Sequence, residues 1–147
     1  MIIIADTNIL FSACLTPDGR IFEILFSTSP HLNIVSSQFA IKELQKHREK
    51  LIRLSKRSAD EIDTLLGTIL KQVNFFSEDI IRHEFWLEAH RLTVGVDSND
   101  LNFVALTLQT AGILWTGDKK LVAHLAGMGF DQLINSTELY NKLEITD

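Results

Sequence analysis

Apolar residues along the chain switch between two periods. Short unbroken runs, Ile2-Ile3-Ile4-Ala5, Leu32-Asn33-Ile34-Val35 and Ile113-Leu114-Trp115-Thr116, read as buried strands. Val73-Asn74-Phe75-Phe76 and residues 132–135 read as two shorter ones. Between them the spacing turns helical. Ile9 to Phe26 is apolar-rich and predicts a helix in two pieces, broken at Thr16-Pro17-Asp18-Gly19, which carries turn chemistry. Ser36 or Ser37 can cap a helix bearing Phe39, Ile41, Glu43 and Leu44. Ser58-Ala59-Asp60-Glu61 opens another, with Ile62, Leu65, Leu66, Ile69 and Leu70 at helical spacing.

Ser77 is expected to cap a helix running through Arg91, and Asp97 to Gly112 forms the next. Asp118 starts a helix ending near Gly127 or Gly129, and Thr137 to Leu143 a last short one. Strands alternating with helices predict an α/β protein: a three-layer α/β/α sandwich around a central, mostly parallel sheet. No repeat, low-complexity stretch or linker divides residues 1–147, so one domain is expected. The helical stretch from about 37 to 73 is the one candidate for a protruding sub-element.

Composition narrows the class. Hydrophobic content of 46% suffices for one core, and 22% charged residues with two prolines argue against extensive disorder. The single cysteine, Cys14, excludes an intrachain disulfide and fits a small core residue better than a nucleophile. No basic leader and no apolar run of about 20 residues is present, so a cytoplasmic protein without membrane contact is expected. A net charge of −5 weighs against nucleic-acid binding, but distribution outweighs the total when the acids gather in one place.

They do gather, in the expected fold. Asp6 follows the first strand and Asp118 follows the strand 113–116, in Thr116-Gly117-Asp118. In a parallel sheet both fall at the carboxyl edge, where open α/β sheets bind ligands. Asp100 and Asp97 sit at a helix start, and Glu43 lies in the first turns of another helix. Carboxylates crowded into one cleft repel each other, and a hard cation such as Mg²⁺ or Mn²⁺ removes that cost. Asn8 and Thr116 add neutral oxygen donors. Each acid also has an ordinary reading: Asp6 and Asp118 as turn or cap residues, Asp97 with Asp100 as a capping box with Asp in place of Glu, and Glu43 as an exposed helical residue. No zinc-type Cys/His spacing occurs, and His31, His47, His83, His90 and His124 share no motif, so structural or surface roles are expected for all five.

Three stretches in order, Ile2 to Asn8, Val35-Ser36-Ser37 through Glu43-Leu44, and Asp97 to Asp118, resemble PIN-domain nucleases, including VapC-type toxins of toxin–antitoxin systems. The most specific match is Asp100 to Leu106 followed by Ile113-Leu114-Trp115-Thr116-Gly117-Asp118. The resemblance implies metal-dependent hydrolysis of single-stranded RNA, with Asp6, Glu43, Asp100 and Asp118 as the metal-binding catalytic acids. It assigns Asn8 and Thr116 supporting positions, with Asp97 either assisting the metal or capping its helix. It also implies a small antitoxin partner and the possibility of a homodimer.

Half of the 14 Lys and Arg, namely Lys42, Lys46, Arg48, Lys50, Arg53, Lys56 and Arg57, lie after the second strand. Lys46, Arg48, Lys50 and Arg53, with Lys119 beside Asp118, are the candidate RNA-backbone contacts, against the alternative of a solvated helix face. Two further classes stay open. One is a catalytically weak RNA- or partner-binding module on the same fold. The other is a haloacid-dehalogenase-type phosphatase, which needs a second Asp two residues after the first; Asn8 stands there.

Overall fold

The computed structural model describes residues 1–143; the one-domain expectation for the last four residues lies outside that range. Five strands, β1 (Ile2–Ala5), β2 (Asn33–Ser37), β3 (Asn74–Phe76), β4 (Ile113–Trp115) and β5 (Leu133–Ile134), form one sheet in the order β3-β2-β1-β4-β5. All four pairings are parallel. The chain first builds outward from β1 through β2 to β3, then returns to the other side of β1 for β4 and β5. The strand order therefore reverses at the β1–β4 boundary, and a crevice opens beyond the carboxyl ends of those strands.

Helices cover both faces. On one side α1 (Thr7–Leu15) packs against α2 (Arg20–Leu25), α3 (Gln38–Lys46), α4 (Arg48–Ser55) and α5 (Ala59–Leu70). On the other, α6 (His83–Thr93) lies along α7 (Leu101–Thr110), which crosses β1, β2 and β4, and α8 (Lys119–Gly127) contacts α6. Helix α9 (Ser136–Lys142) ends the described chain against α2. Consecutive residues of β1, Ile3, Ile4 and Ala5, are all fully buried, as a strand covered on both faces requires. Helix α7 buries Phe103 through Thr107 without a break, so it is a core helix.

Three local expectations change. The stretch 37–73 does not protrude: α4 and α5 both pack on α1, and Leu51, Ile62 and Ile69 are fully buried. Ser77 caps only one 3₁₀ turn, Glu78–Ile80. Ile81 and Arg82 are then extended, and α6 begins at His83. The break lets Ile81 turn into the core and lets the Arg82 amide donate to Gln109 Oε1 at 3.0 Å. Likewise Asp97 to Gly112 divides into a 3₁₀ turn, Ser98–Asp100, and α7.

The end of α7 reverses a usual assignment. Ala111, not the glycine after it, takes the left-handed conformation (φ 54°) that closes the helix. Gly112 is needed for a different reason: a Cβ there would stand 2.6 Å from Ile4 Cδ1 and 2.9 Å from the Ile2 carbonyl oxygen. We therefore expect opposite outcomes at adjacent positions in urea denaturation. Ala111→Gly stabilises by roughly 0.5–1 kcal/mol by relieving the Cβ penalty. Gly112→Ala destabilises by roughly 1–3 kcal/mol by wedging β1 from the start of β4. Shifts of the same sign at both sites would refute this assignment of roles.

Candidate active site

The crevice at the reversal point is an acidic cavity of about 210 Å³ lined by Asp6, Thr7, Asn8, Glu43, His47, Asp97, Asn99, Asp100, Phe103 and Asp118. All four acids proposed from sequence as metal ligands line it, as do Asn8 and Asp97. Four separate elements deliver them. In the β1–β4 register Ala5 faces Trp115, so the residues that follow, Asp6 and Thr116, leave the sheet side by side. The end of β1 is pinned from its other neighbour by the buried Ser36 hydroxyl, which donates to the Ala5 carbonyl at 2.7 Å.

Asp6 is only 4% exposed and caps α1, its Oδ1 accepting from the Ile9 amide at 2.9 Å. Thr116, equally buried, hydrogen-bonds the Asp6 carboxylate with its side chain and accepts the Asp118 amide at 3.2 Å. Asp118 caps α8, accepting from the amides of Lys120 and Leu121. Asp97 caps the 3₁₀ turn that presents Asp100, its Oδ1 taking the Asn99 amide at 2.9 Å. Glu43 reaches the cavity from the middle of α3 and is held by a hydrogen bond from the Thr7 hydroxyl. For Asp6, Asp97 and Asp118 capping and convergence are therefore the same geometry: the cap fixes the carboxylate's direction, and the directions meet; Asp100, whose side chain makes no cap bond, is carried in by the turn that Asp97 closes.

The electrostatic cost is visible in two groups. Asp6 is pushed from the ordinary 3.8 up to about 6, chiefly by burial, with Asp118 and Glu43 adding repulsion that the hydrogen bonds from Thr116 and Ile9 only partly offset. Asp100 is pushed up to about 7, again first by burial and then by Asp97, Asp6, Asp118 and Glu43. Asp100 thus feels every other acid of the cavity.

The donors are carboxylate, amide and hydroxyl oxygens, the set that suits a hard divalent cation. Among the described residues, no group of three or more His, Cys, Asp or Glu side chains stands ready to hold an ion. Mg²⁺ is commonly held through one or two carboxylates with water completing its shell, so oxygen donors of this kind fit it.

Four lining residues were not singled out from sequence as site groups. Thr7 directly follows Asp6, and Asn99 and Phe103 flank Asp100. His47 lies four residues after Glu43, one turn along the same helix face, so helical spacing alone could have drawn it in. It is a cleft residue, against the expectation that all five histidines are structural or superficial.

The basic candidates do not line the cavity. Arg48 faces α5 in a two-pronged ion pair, Nε to Asp63 Oδ1 at 2.8 Å and Nη2 to Asp63 Oδ2 at 2.9 Å, so it is not the free cation expected. Lys50 lies over the Phe11 ring, 5.7 Å from its centre. Lys46 and Arg53 are exposed on α3 and α4, and Lys119 is exposed in the first turn of α8. Cys14 is a buried core residue whose thiol is pushed up to about 12 by burial, far from a nucleophile's range.

A family model described as a PIN domain matches residues 4–138. No curated protein matches. Among solved structures, VapBC2 from Rickettsia felis bound to a DNA fragment from its promoter is similar at TM-score 0.69 and 17% identity, covering 92% of this chain and 97% of that one. PAE2754 from Pyrobaculum aerophilum gives 0.68 at 17% identity, covering 97% and 88%. VapBC-1 from nontypeable Haemophilus influenzae gives 0.64 at 18%, covering 93% and 99%. At such identities the likeness is one of fold. Among the described residues no helix is long and apolar enough to cross a membrane.

The raised carboxyls make a pH test of the site. A carboxyl whose pKa is higher in the fold than in the unfolded chain stabilises the fold when protonated; that contribution is complete below about 3.8 and is lost as pH rises through about 7. Asn mimics the neutral acid at all pH. Asp100→Asn should therefore match the parent's thermal stability near pH 4 and exceed it increasingly up to pH 8. Millimolar Mn²⁺ at pH 8 should shrink the gap by stabilising the parent alone. A gap that does not change with pH would remove the charge crowding on which this reading of the cavity rests.

Proposed function

Because the chain belongs to the PIN domain family, we propose that it is a Mg²⁺- or Mn²⁺-dependent endoribonuclease that hydrolyses phosphodiester bonds in single-stranded RNA, acting as the toxin of a toxin–antitoxin pair. One observation carries the reading. Four acids from four elements meet in one cleft at the strand-order reversal, and two of them, Asp6 and Asp100, are pushed toward neutral pH, first by burial and then by the neighbouring acids. Natural folds rarely keep such a cost without a positively charged ligand to offset it.

Asp6, Asp100 and Asp118 are the groups that would hold the ion, directly or through water, with Asn8 beside them. When bound, the ion supplies positive charge that polarises the phosphodiester and makes a nearby water more acidic. The rest belongs to the chain. Glu43, held by the Thr7 hydroxyl, would hold a second ion or orient the attacking water. Thr116 fixes the direction of Asp6 and of the Asp118 backbone at once. No covalent enzyme intermediate is required: water adds at phosphorus as the bond to the leaving oxygen breaks.

Two of the similar structures are VapBC assemblies, which supports a small protein antitoxin as partner, one that covers the acidic cleft. A homodimer is part of the same proposal. Lys46, Lys50, Arg53 and Lys119 remain available to meet RNA phosphates outside the cleft, without Arg48.

Cleavage of a labelled single-stranded RNA panel tests the reading. Activity should require Mn²⁺ or Mg²⁺, vanish with EDTA, and be lost in Asp6→Asn and Asp100→Asn. Thr116→Val, which leaves every carboxylate in place, should lower activity by roughly 10- to 100-fold through misplaced ligands. Cleavage that survives chelation would sink the metal mechanism, and a folded protein that binds RNA and Mn²⁺ without cutting would favour a binding module.

A further inference from the structure

A second cavity, about 200 Å³, opens beside the acidic one and is lined by Gln38, Phe39, Lys42, Ser77, Glu78 and Asp79. It lies between the first turn of α3 and the 3₁₀ turn after β3. The two cavities meet at an aromatic pair. Phe39 lines the second and Phe103 lines the first, with ring centres 6.3 Å apart and planes inclined by 54°. Phe39 and Glu43 lie four residues apart on α3, so one face of that helix carries a residue of each cavity, and His47, the residue that ends α3, follows at the acidic cleft. A chain lying along that face with one phosphate at the acids would place its neighbour at Phe39.

The chemistry of the second cavity differs from that of the first. Glu78 and Asp79 are exposed, and neither has an ion-pair partner among the described residues. Two carboxylates repel a phosphate, so the cavity suits the other half of a nucleotide. Phe39 offers a face for stacking, which every base can use. Carboxylates accept hydrogen bonds only, so they favour the exocyclic amino groups of cytosine, adenine or guanine, whereas the exocyclic positions of uracil are carbonyl acceptors and N3–H is its one base donor. Gln38 adds an amide of either polarity, and Lys42 can take the phosphate at the mouth. We propose that this cavity is a base-binding subsite of the RNA strand, one nucleotide from the scissile phosphate, selecting an amino-bearing base over uracil. The placement relative to the cut rests on the nuclease reading above; the base preference rests on the cavity.

Two measurements on the full chain separate these. In the first, backbone amide shifts are followed by NMR as short oligo(C), oligo(A) and oligo(U) are added in EDTA, so that neither metal nor cleavage is involved. Oligo(C) or oligo(A) should shift Gln38, Phe39, Lys42 and Asp79 and bind about tenfold more tightly than oligo(U). The double variant Glu78→Gln, Asp79→Asn, which alters two exposed side chains, should lose that discrimination while keeping its fold. In the second, cleavage of a randomised RNA library should show uracil depleted at one fixed position beside the cut, with the depletion erased in the double variant. Shifts confined to other surfaces, or equal binding of all three oligomers, would overturn the subsite. A parent that binds selectively yet cuts nothing would overturn the nuclease reading and leave the subsite standing.

Discussion

The pairing of β1 with β4 is the contact on which the rest depends. Strand order reverses there, so no crossover helix fills the space beyond their carboxyl ends, and Ala5 opposite Trp115 sets Asp6 beside Thr116. A slip of one residue would turn Asp6 to the other face and separate it from Thr116. The neighbours enforce the register. Gly112 allows the start of β4 to approach Ile2 and Ile4 more closely than any side chain would permit, and Ser36 ties the end of β1 to β2.

Around that boundary the acids serve the fold and the site with the same atoms. Asp6, Asp97 and Asp118 each cap a helix or turn, and such caps contribute about 1 kcal/mol apiece to local structure. Capping orients each carboxylate without neutralising it. Burial first, and then the neighbouring acids, drive Asp6 and Asp100 toward the protonated form.

The positive charge follows a different logic. The basic run after β2 looks in the sequence like a single arm, yet the helices divide it: Arg48 is bound to Asp63 of α5, Lys50 lies over Phe11 of α1, and Lys42 borders the second cavity. Part of the run therefore ties α4 to its neighbours, and Lys46, Arg53 and Lys56 are left exposed. Phe39 of α3 packs against Phe103 of α7, a contact that no spacing rule within either helix would reveal.

Much was legible in the residues alone. Short apolar runs and the 3.6-residue period placed five strands and most helices, because burial on both faces of a strand or along one stripe of a helix imposes those patterns whatever the partner. The acids stood out because strand ends and helix caps are marked by local residue type. Hidden from the sequence were features decided by pairs distant along the chain. Whether the helices after residue 37 protrude or pack depends on the fit of Leu51 and Ile62 to the core, and where α6 begins depends on Gln109, 27 residues beyond Arg82. His47 joined the site because α3 lies over the crevice, and Arg48 left the candidate RNA contacts because α5 brings Asp63 to it. Local chemistry determined which groups could act. Only the packing of elements decided which of them face each other, since a side chain's direction is set by the helix or strand that carries it and its partners by where that element comes to rest.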